Sequence, residues 1–340
     1  MTEPLLKIEA VSKRFSRRPA LAERLAGRIT GRPARDETVH AVTDVTLEVA
    51  RGEVLGVVGE SGCGKSTLGR MVAGIHAPSE GRVTLAGQPV ARDRGGHVTK
   101  LTPNVQMIHQ DPFASLNPRM KVGETIAEGP RQHGLTPPAE IPAMVRALMA
   151  QVGLEGAYAN RLPHQFSGGQ RQRIAIARAL AMRPDLLVLD EAVASLDVSI
   201  QAQVLNLFLQ LRRDLGLTAL FISHDLSVVR HVCDRVAIMY LGRLVELAPA
   251  EELYAAPKHP YTAALFASVP EIGRGRRAFH PIEGEIPSPL DPPPGCPFHP
   301  RCPMAGPRCR TEVPALGPAG PGRAVACHLE HGGTGAEVAA

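Results

Sequence analysis

The run Gly59-Glu60-Ser61-Gly62-Cys63-Gly64-Lys65-Ser66-Thr67 follows directly on the apolar stretch Val54-Leu55-Gly56-Val57-Val58, and this junction limits the fold more than any other feature of the chain. It fits the pattern G-x-x-x-x-G-K-[ST], in which glycines let successive backbone N–H groups turn inward around phosphate oxygens. Such a loop needs a buried strand to deliver it and a helix to carry the chain away with its positive end on the phosphates. Lys65 then reaches the β and γ phosphates, and Ser66 brings the hydroxyl that can ligate Mg²⁺. Strand, loop and helix in this order predict an α/β layer.

Further apolar runs repeat the theme. Val105 to Ile108, Leu186 to Leu189, Ala219 to Ile222 and Val236 to Met239 read as buried strands, with another short strand at Leu5 to Val11. Between two of them Ile200, Val204, Leu205, Leu207, Phe208 and Leu211 fall on one helical face. A mainly parallel sheet gathers its strand C-termini along one edge, so chemistry at several strand ends meets there. Asp190 and Glu191 close the run Leu186 to Leu189. Successive side chains on a strand diverge, which suits Asp190 to a Mg²⁺ shell and Glu191 to an attacking water. Alone, two such acids are an ordinary solvated turn. A third element, Ser167-Gly168-Gly169-Gln170, opens the helical stretch IAIARALAM and offers a hydroxyl and free amides at a helix N-terminus. As an N-cap by itself it would mean little.

Composition narrows the classes. Lys and Arg total 38 against 33 Asp and Glu, but Lys13 to Arg35 holds eight bases and one acid, so a stretch carrying +7 accounts for more than the whole net charge of +5. Basicity so localised argues against a broad nucleic-acid face and suits a local contact with phosphates or anionic head groups, or a solvated loop. Arg, Ala, Gly and Pro between Phe15 and Val39 read as an inserted surface segment. No apolar run approaches the ~18 residues of a spanning helix, and the N-terminus lacks a signal-peptide pattern, so a cytoplasmic protein is expected. From Pro270 onward the chain holds 14 of its 31 prolines, which disfavours long elements there and predicts that the regular fold ends near residue 265.

Gly59 to Thr67, the SGGQ of Ser167 to Gln170, and Asp190 with Glu191, in this order and spacing, resemble the nucleotide-binding subunit of an ATP-binding cassette transporter. The resemblance implies a P-loop NTPase of the ABC type: α/β, with a RecA-like core, an antiparallel β subdomain and a helical subdomain at about 112–182. It implies a domain over 1–265, with the basic insertion at about 16–38, and a Pro/Cys-rich extension over 266–340. Gln110 falls where the Q-loop glutamine lies, Ser195-Leu196-Asp197 where the D-loop lies, and His224 where the switch histidine lies. The roles implied are Glu191 as general base, His224 on the γ-phosphate, Gln110 with Ser66 and Asp190 on Mg²⁺, and Lys65 on ATP. Phe15, an aromatic residue near the start, is the candidate adenine platform. In this family two domains face each other head to tail, and Ser167, Gly168, Gly169 and Gln170 of one complete the ATP site of the other.

The segments HQDPFASLNPR, LPHQFSGGQRQRIAIARAL, HPYTAAL and GEIPSPLDPPPGCPFHPRCP are similar to the ATPases of oligopeptide, dipeptide and nickel importers, and the insertion after Phe15 resembles the F-type subunit. Implied are a heterodimer with a D-type ATPase, two transmembrane permeases, an extracytoplasmic solute-binding protein acting indirectly, a peripheral location on the cytoplasmic face of the inner membrane, and no nucleic acid. Peptides are the expected solute; nickel, glutathione, sugars, and a soluble non-transport ATPase are the alternatives. Ala192, where a proline commonly follows, removes no functional group.

Cys296, Cys302, Cys309 and Cys327 have the spacing C-x5-C-x6-C-x17-C, which by itself selects neither zinc nor an iron–sulfur cluster nor an absence of metal. A segment without its own core favours a ligand that ties it, and the resemblance implies a [4Fe–4S] cluster on these four cysteines, with Zn²⁺ the alternative. Cys63 and Cys233 read as packing residues.

Overall fold

A computed structural model of the chain describes residues 3–17, 37–111, 115–268 and 282–331. Most of the expected basic insertion lies outside them. Strands β1 (Leu6–Arg17) and β2 (Glu37–Val49) pair antiparallel on either side of that gap. β3 (Val54–Val58) runs into the glycine loop and helix α1 (Lys65–Val72). β4 (Glu80–Leu85) and β5 (Gln88–Pro89) complete an antiparallel sheet of order β2-β1-β4-β5, and β6 (Ala91–Arg94) and β7 (His97–Lys100) form a separate hairpin. β8 (Val105–Ile108) precedes helices α2 (Val122–Gln132), α3 (Ile141–Gln151) and α4 (Gly168–Ala181), which pack on one another.

The chain then alternates: β9 (Leu186–Asp190), α5 (Val198–Leu215), β10 (Thr218–Ile222), α6 (Leu226–Val232), β11 (Arg235–Tyr240), β12 (Arg243–Pro249), α7 (Ala250–Ala255) and α8 (Pro260–Ala267). Two short tail strands follow, β13 (Gly317–Gly320) and β14 (Arg323–Val325). The main sheet has the order β13-β14-β12-β11-β3-β10-β9-β8, parallel from β11 to β8 and antiparallel from β11 outward.

Every residue of β3 is buried, and its period of two sorts the core. Val54 and Val58 join the layer formed with α2 to α6, whereas Leu55 and Val57 join the layer shared with α1 and the antiparallel sheet. Gly56 sits where a Cβ would come within 2.8 Å of Val229 and 3.0 Å of the Cys233 sulfur, so the strand needs glycine for α6 to lie flat on it. Cys233 is filler, as expected. Helix α5 buries Val204, Leu205, Phe208 and Leu211 of the anticipated stripe, with Ile200 and Leu207 half-buried, and ends at Gly216 in the left-handed conformation (φ 63°) that lets the last turn close.

The fold departs from expectation in two places. β1 continues past Val11 to Arg17, because its pairing with β2 reaches Arg17↔Glu37 through three register shifts. The Pro-rich tail, expected to lie beyond the regular fold, adds β14 to β12 with Glu246↔Val325 and Leu247↔Ala324 in register.

Candidate functional site

The parallel register brings the strand ends together. Ile222 lies opposite both Asp190 and Val57, so the residues that follow β3, β9 and β10 emerge on one edge. A cavity of about 510 Å³ opens there. Its walls are the loop residues Ser61, Gly62, Gly64, Lys65, Ser66 and Thr67, then Gln110 and Glu191, and finally Phe15, Val39, Ala41 and Pro289. The loop shape depends on its glycines. Gly64 has φ 104°, and a Cβ on it would collide with the carbonyl of Ala41; one on Gly59 would collide with that of Met239.

Lys65 is 4% exposed, with its ammonium folded back onto the carbonyls of Gly59 at 2.8 Å and Glu60 at 2.9 Å. Ser66 Oγ donates to Asp190 Oδ1 at 2.7 Å across the two strand ends, pairing a hydroxyl with a carboxylate, a hard oxygen set suited to Mg²⁺. Glu191 takes φ 49°, a conformation uncommon for a side chain of its size, and is fixed there by donating its N–H to Ile222 O at 2.9 Å. Its Oε2 lies 3.4 Å from Nδ1 of His224, whose side chain is 58% exposed and free to meet a substrate. Ser195 Oγ donates to the carbonyl of Gln110 at 3.2 Å, tying the loop after β9 to the one after β8. Phe15 is partly exposed on the cavity wall, edge-on to His76 with ring centroids 5.6 Å apart.

Ser167 to Gln170 stand apart from this cavity. Ser167 caps α4 through a reciprocal pair: its Oγ accepts from Gln170 N at 3.3 Å while Gln170 Oε1 accepts from Ser167 N at 3.0 Å. Ser167 and Gly168 are exposed; Gly169 is buried, and a Cβ on it would overlap Ile200 at the start of α5. The turn is capped and exposed at its N-terminal end. Asp197 is exposed ahead of α5 and does not line the cavity. Cys63 is buried beside Lys65, and burial raises its thiol above the ordinary range.

Sequence reasoning missed the contribution of the tail. Pro289 lines the cavity, and its carbonyl accepts from His40 N at 2.9 Å. Glu246, fully buried, accepts from Lys258 N and His259 N at 2.9 Å each and from Arg323 Nη2 at 2.6 Å. His259 Nδ1 in turn accepts from Tyr261 N at 3.0 Å and starts α8. Burial pushes His259 down to about 4 against the pull of Glu246. In the unfolded chain the same imidazole protonates near 6.5, so as pH falls from about 6.5 toward 4 only the unfolded state gains the proton. We expect that group alone to remove up to about 3 kcal/mol of stability over this window. Urea midpoints at pH 7.5 and 5 should show it, and His259→Gln should be weaker at pH 7.5 but flatter with pH; an unchanged slope would refute the assignment.

The tail cysteines converge, but the metal expected on them is not supported. Cys296, Cys302, Cys309 and Cys327 are free thiols around one small space, with His299 and His328 nearby. That space measures about 10 Å³, roughly the room of a single water-sized probe. It is also walled by Pro260, Phe298, Met304 and Leu329. Among the described residues no group of three or more His, Cys, Asp or Glu is placed to hold a metal ion. Burial raises the Cys296 thiol to about 11 and raises Cys302 and Cys327 as well. The tail is tied to the domain by Arg323 on Glu246, Arg301 on Glu60 and the buried ring of Phe298.

Comparison with known proteins agrees with this geometry. The ABC transporter family profile matches residues 42–194, and that of the oligopeptide/dipeptide transporter C-terminal region matches 245–309. The oligopeptide transport ATP-binding protein AppF of Bacillus subtilis is 47% identical over 96% of this chain and 98% of its own length. The oligopeptide transport ATP-binding protein OppF of Salmonella typhimurium is 49% identical over 82% of this chain and 85% of its own. Among solved structures, cbiO1 of Clostridium perfringens, part of the ABC transporter complex cbiONQ, superposes with a TM-score of 0.59 at 27% identity, covering 74% of this chain and 91% of that one.

Proposed function

Because this chain belongs to the ATP-binding subunits of ABC-type oligopeptide and dipeptide importers, we propose that its ATP site is one half of a composite site completed by a second ATPase subunit. It is an ABC transporter ATPase whose α/β nucleotide-binding domain carries the C-terminal extension of that family. We take the domain to run over 1–265 and the extension over 266–340. One observation carries the composite reading: Ser167 and Gly168 form an exposed, capped helix N-terminus and take no part in the cavity that holds Lys65. A phosphate cap outside its own chain's cavity suits the cavity of a neighbour.

In this reading Lys65 exchanges the carbonyls of Gly59 and Glu60 for the β and γ phosphate oxygens of ATP. Ser66 and Asp190, with Gln110, would hold Mg²⁺, which offsets the charge of those oxygens. Glu191 orients the attacking water and accepts its proton, and His224 at its side meets the γ-phosphate. Phe15 offers its ring to adenine, and the exposed Asp197 faces the partner ATPase. The partner is a D-type subunit, the pair docks on two permeases at the cytoplasmic face of the membrane, and an extracytoplasmic binding protein delivers peptide from the far side. Among the described residues no helix is long and apolar enough to cross a membrane, so attachment runs through the permeases.

The test is complementation in the assembled complex. Ser167→Arg in this chain should stop hydrolysis at the site whose lysine belongs to the partner while leaving ATP bound to Lys65 of its own loop. Full hydrolysis by strictly monomeric chain carrying that change would overturn the reading.

A further inference from the structure

The second residue of the glycine loop, Glu60, has each polar group committed. Its N–H donates to the hydroxyl of Tyr261 at 3.0 Å, and its carbonyl accepts from Lys65 Nζ at 2.9 Å. Its carboxylate accepts two parallel bonds from Arg301 in the tail, Nη1 to Oε2 at 2.8 Å and Nη2 to Oε1 at 3.1 Å. This is not a surface pair: the Arg301 side chain is 4% exposed and that of Glu60 20%. Arg301 is itself held by the hydroxyl of Tyr240 at 3.4 Å and the carbonyl of Glu283 at 3.3 Å. Tyr240, Tyr261 and the tail's Phe298 pack around it with ring centroids 4.7 to 5.4 Å apart.

A carboxylate in a loop that must receive a triphosphate is electrostatically misplaced, because like charges at close range in a partly dry site repel strongly. Here it is drawn to the back of the loop and matched by a planar, bidentate cation. We propose that Arg301 is a positioning residue of the ATP site: by gripping and neutralising the Glu60 carboxylate, the C-terminal extension holds the loop 59–67 in its phosphate-binding shape and keeps its field favourable to ATP. The tail is thereby part of the nucleotide site, with Pro289 on the cavity wall as its second point of entry. The proposal rests on the reading of Gly59 to Thr67 as the phosphate loop.

The experiment uses the full complex with its partner ATPase and permeases, titrated with MgATP for hydrolysis and with MgADP for binding. Arg301→Met should raise KM and the MgADP dissociation constant about tenfold, or ~1.4 kcal/mol, with a much smaller change in kcat. Arg301→Lys, a point charge without the fork, should fall between it and the parent. Adding Glu60→Gln to Arg301→Met should recover most of the lost MgADP affinity, since the uncompensated charge is gone; a purely structural pair would show its loss and its recovery in the melting temperature and leave MgADP affinity unmoved. Parental affinity in an Arg301→Met complex that melts normally, or a double variant no better than the single one, overturns the proposal. Should Arg301→Met fail to assemble, Glu60→Gln decides alone: tighter MgADP binding supports the electrostatic role, and equal or weaker binding refutes it. Lys65→Ala is the control, for if it binds nucleotide normally the phosphate-loop reading fails, whereas its loss beside an unaffected Arg301→Met sinks this proposal only.

Discussion

Glu191→Gln is expected to lower turnover at this chain's site by about 10²–10⁴-fold while leaving nucleotide binding intact. The amide keeps the size of the side chain and can still meet His224, which lies 3.4 Å from the carboxylate, but it cannot accept the proton of the attacking water. Nothing that would hold the nucleotide is touched: Lys65 remains in the loop and Ser66 remains bonded to Asp190 at 2.7 Å. ATP-bound dimers should therefore accumulate, visible by size exclusion in the presence of MgATP. The measurement is phosphate release from a complex whose other site has been silenced, and a rate within threefold of the parent would remove Glu191 from its role. The left-handed backbone at this position (φ 49°) adds a reason to prefer the amide to alanine, because it leaves the fixed geometry of the turn alone.

The second large effect lies away from the chemistry. Glu246→Ala should cost about 3–5 kcal/mol, the penalty for leaving a buried charge without its partner. Glu246 is fully buried, Arg323 is 6% exposed at its side chain, and the same carboxylate also takes the N–H groups of Lys258 and His259. Arg323 is already imperfectly satisfied, since its Nε has no hydrogen-bond partner, so it has little in reserve. A drop in the urea midpoint with early proteolysis of the tail is the expected signature. Replacing both residues by leucine should recover much of the loss, because the desolvation cost vanishes along with the attraction. A tail equally protected in Glu246→Ala would show that the pair does not anchor it.

The gathering of the candidate site residues at the strand ends was legible in the sequence for a physical reason. Asp190 and Glu191 close one short apolar run, His224 follows another after Ser223, and Lys65 and Ser66 follow Val54 to Val58 across the loop Gly59 to Gly64; a parallel sheet sends the ends of such runs to one edge. Local pattern and global topology coincide there, so reading one gives the other. Arg301 and Pro289 had no such signal. They reach the site through contacts more than 200 residues apart in sequence, from a segment rich in proline and without periodicity, and nothing in their neighbourhood marks the partner. The cysteines converge on one small space, as a shared ligand would require, but their spacing alone names no ligand, and none is supported among the described residues. Phe298, a buried ring in the tail, also had no signal, since one aromatic residue between prolines carries no pattern to read.

The pairing of β14 with β12 has one more consequence, for shortened forms of the chain. In the intact protein the hydrogen-bonding rim of β12 is closed by β14, and β13 beyond it is four residues of glycine, proline and alanine that offer little to another strand. A form cut before residue 317 would retain every residue proposed for the ATP site and yet bare the backbone rim of Val245 to Leu247, a strand edge open to other molecules. Self-association into insoluble material, rather than inactivity, is the failure to anticipate when such fragments are expressed.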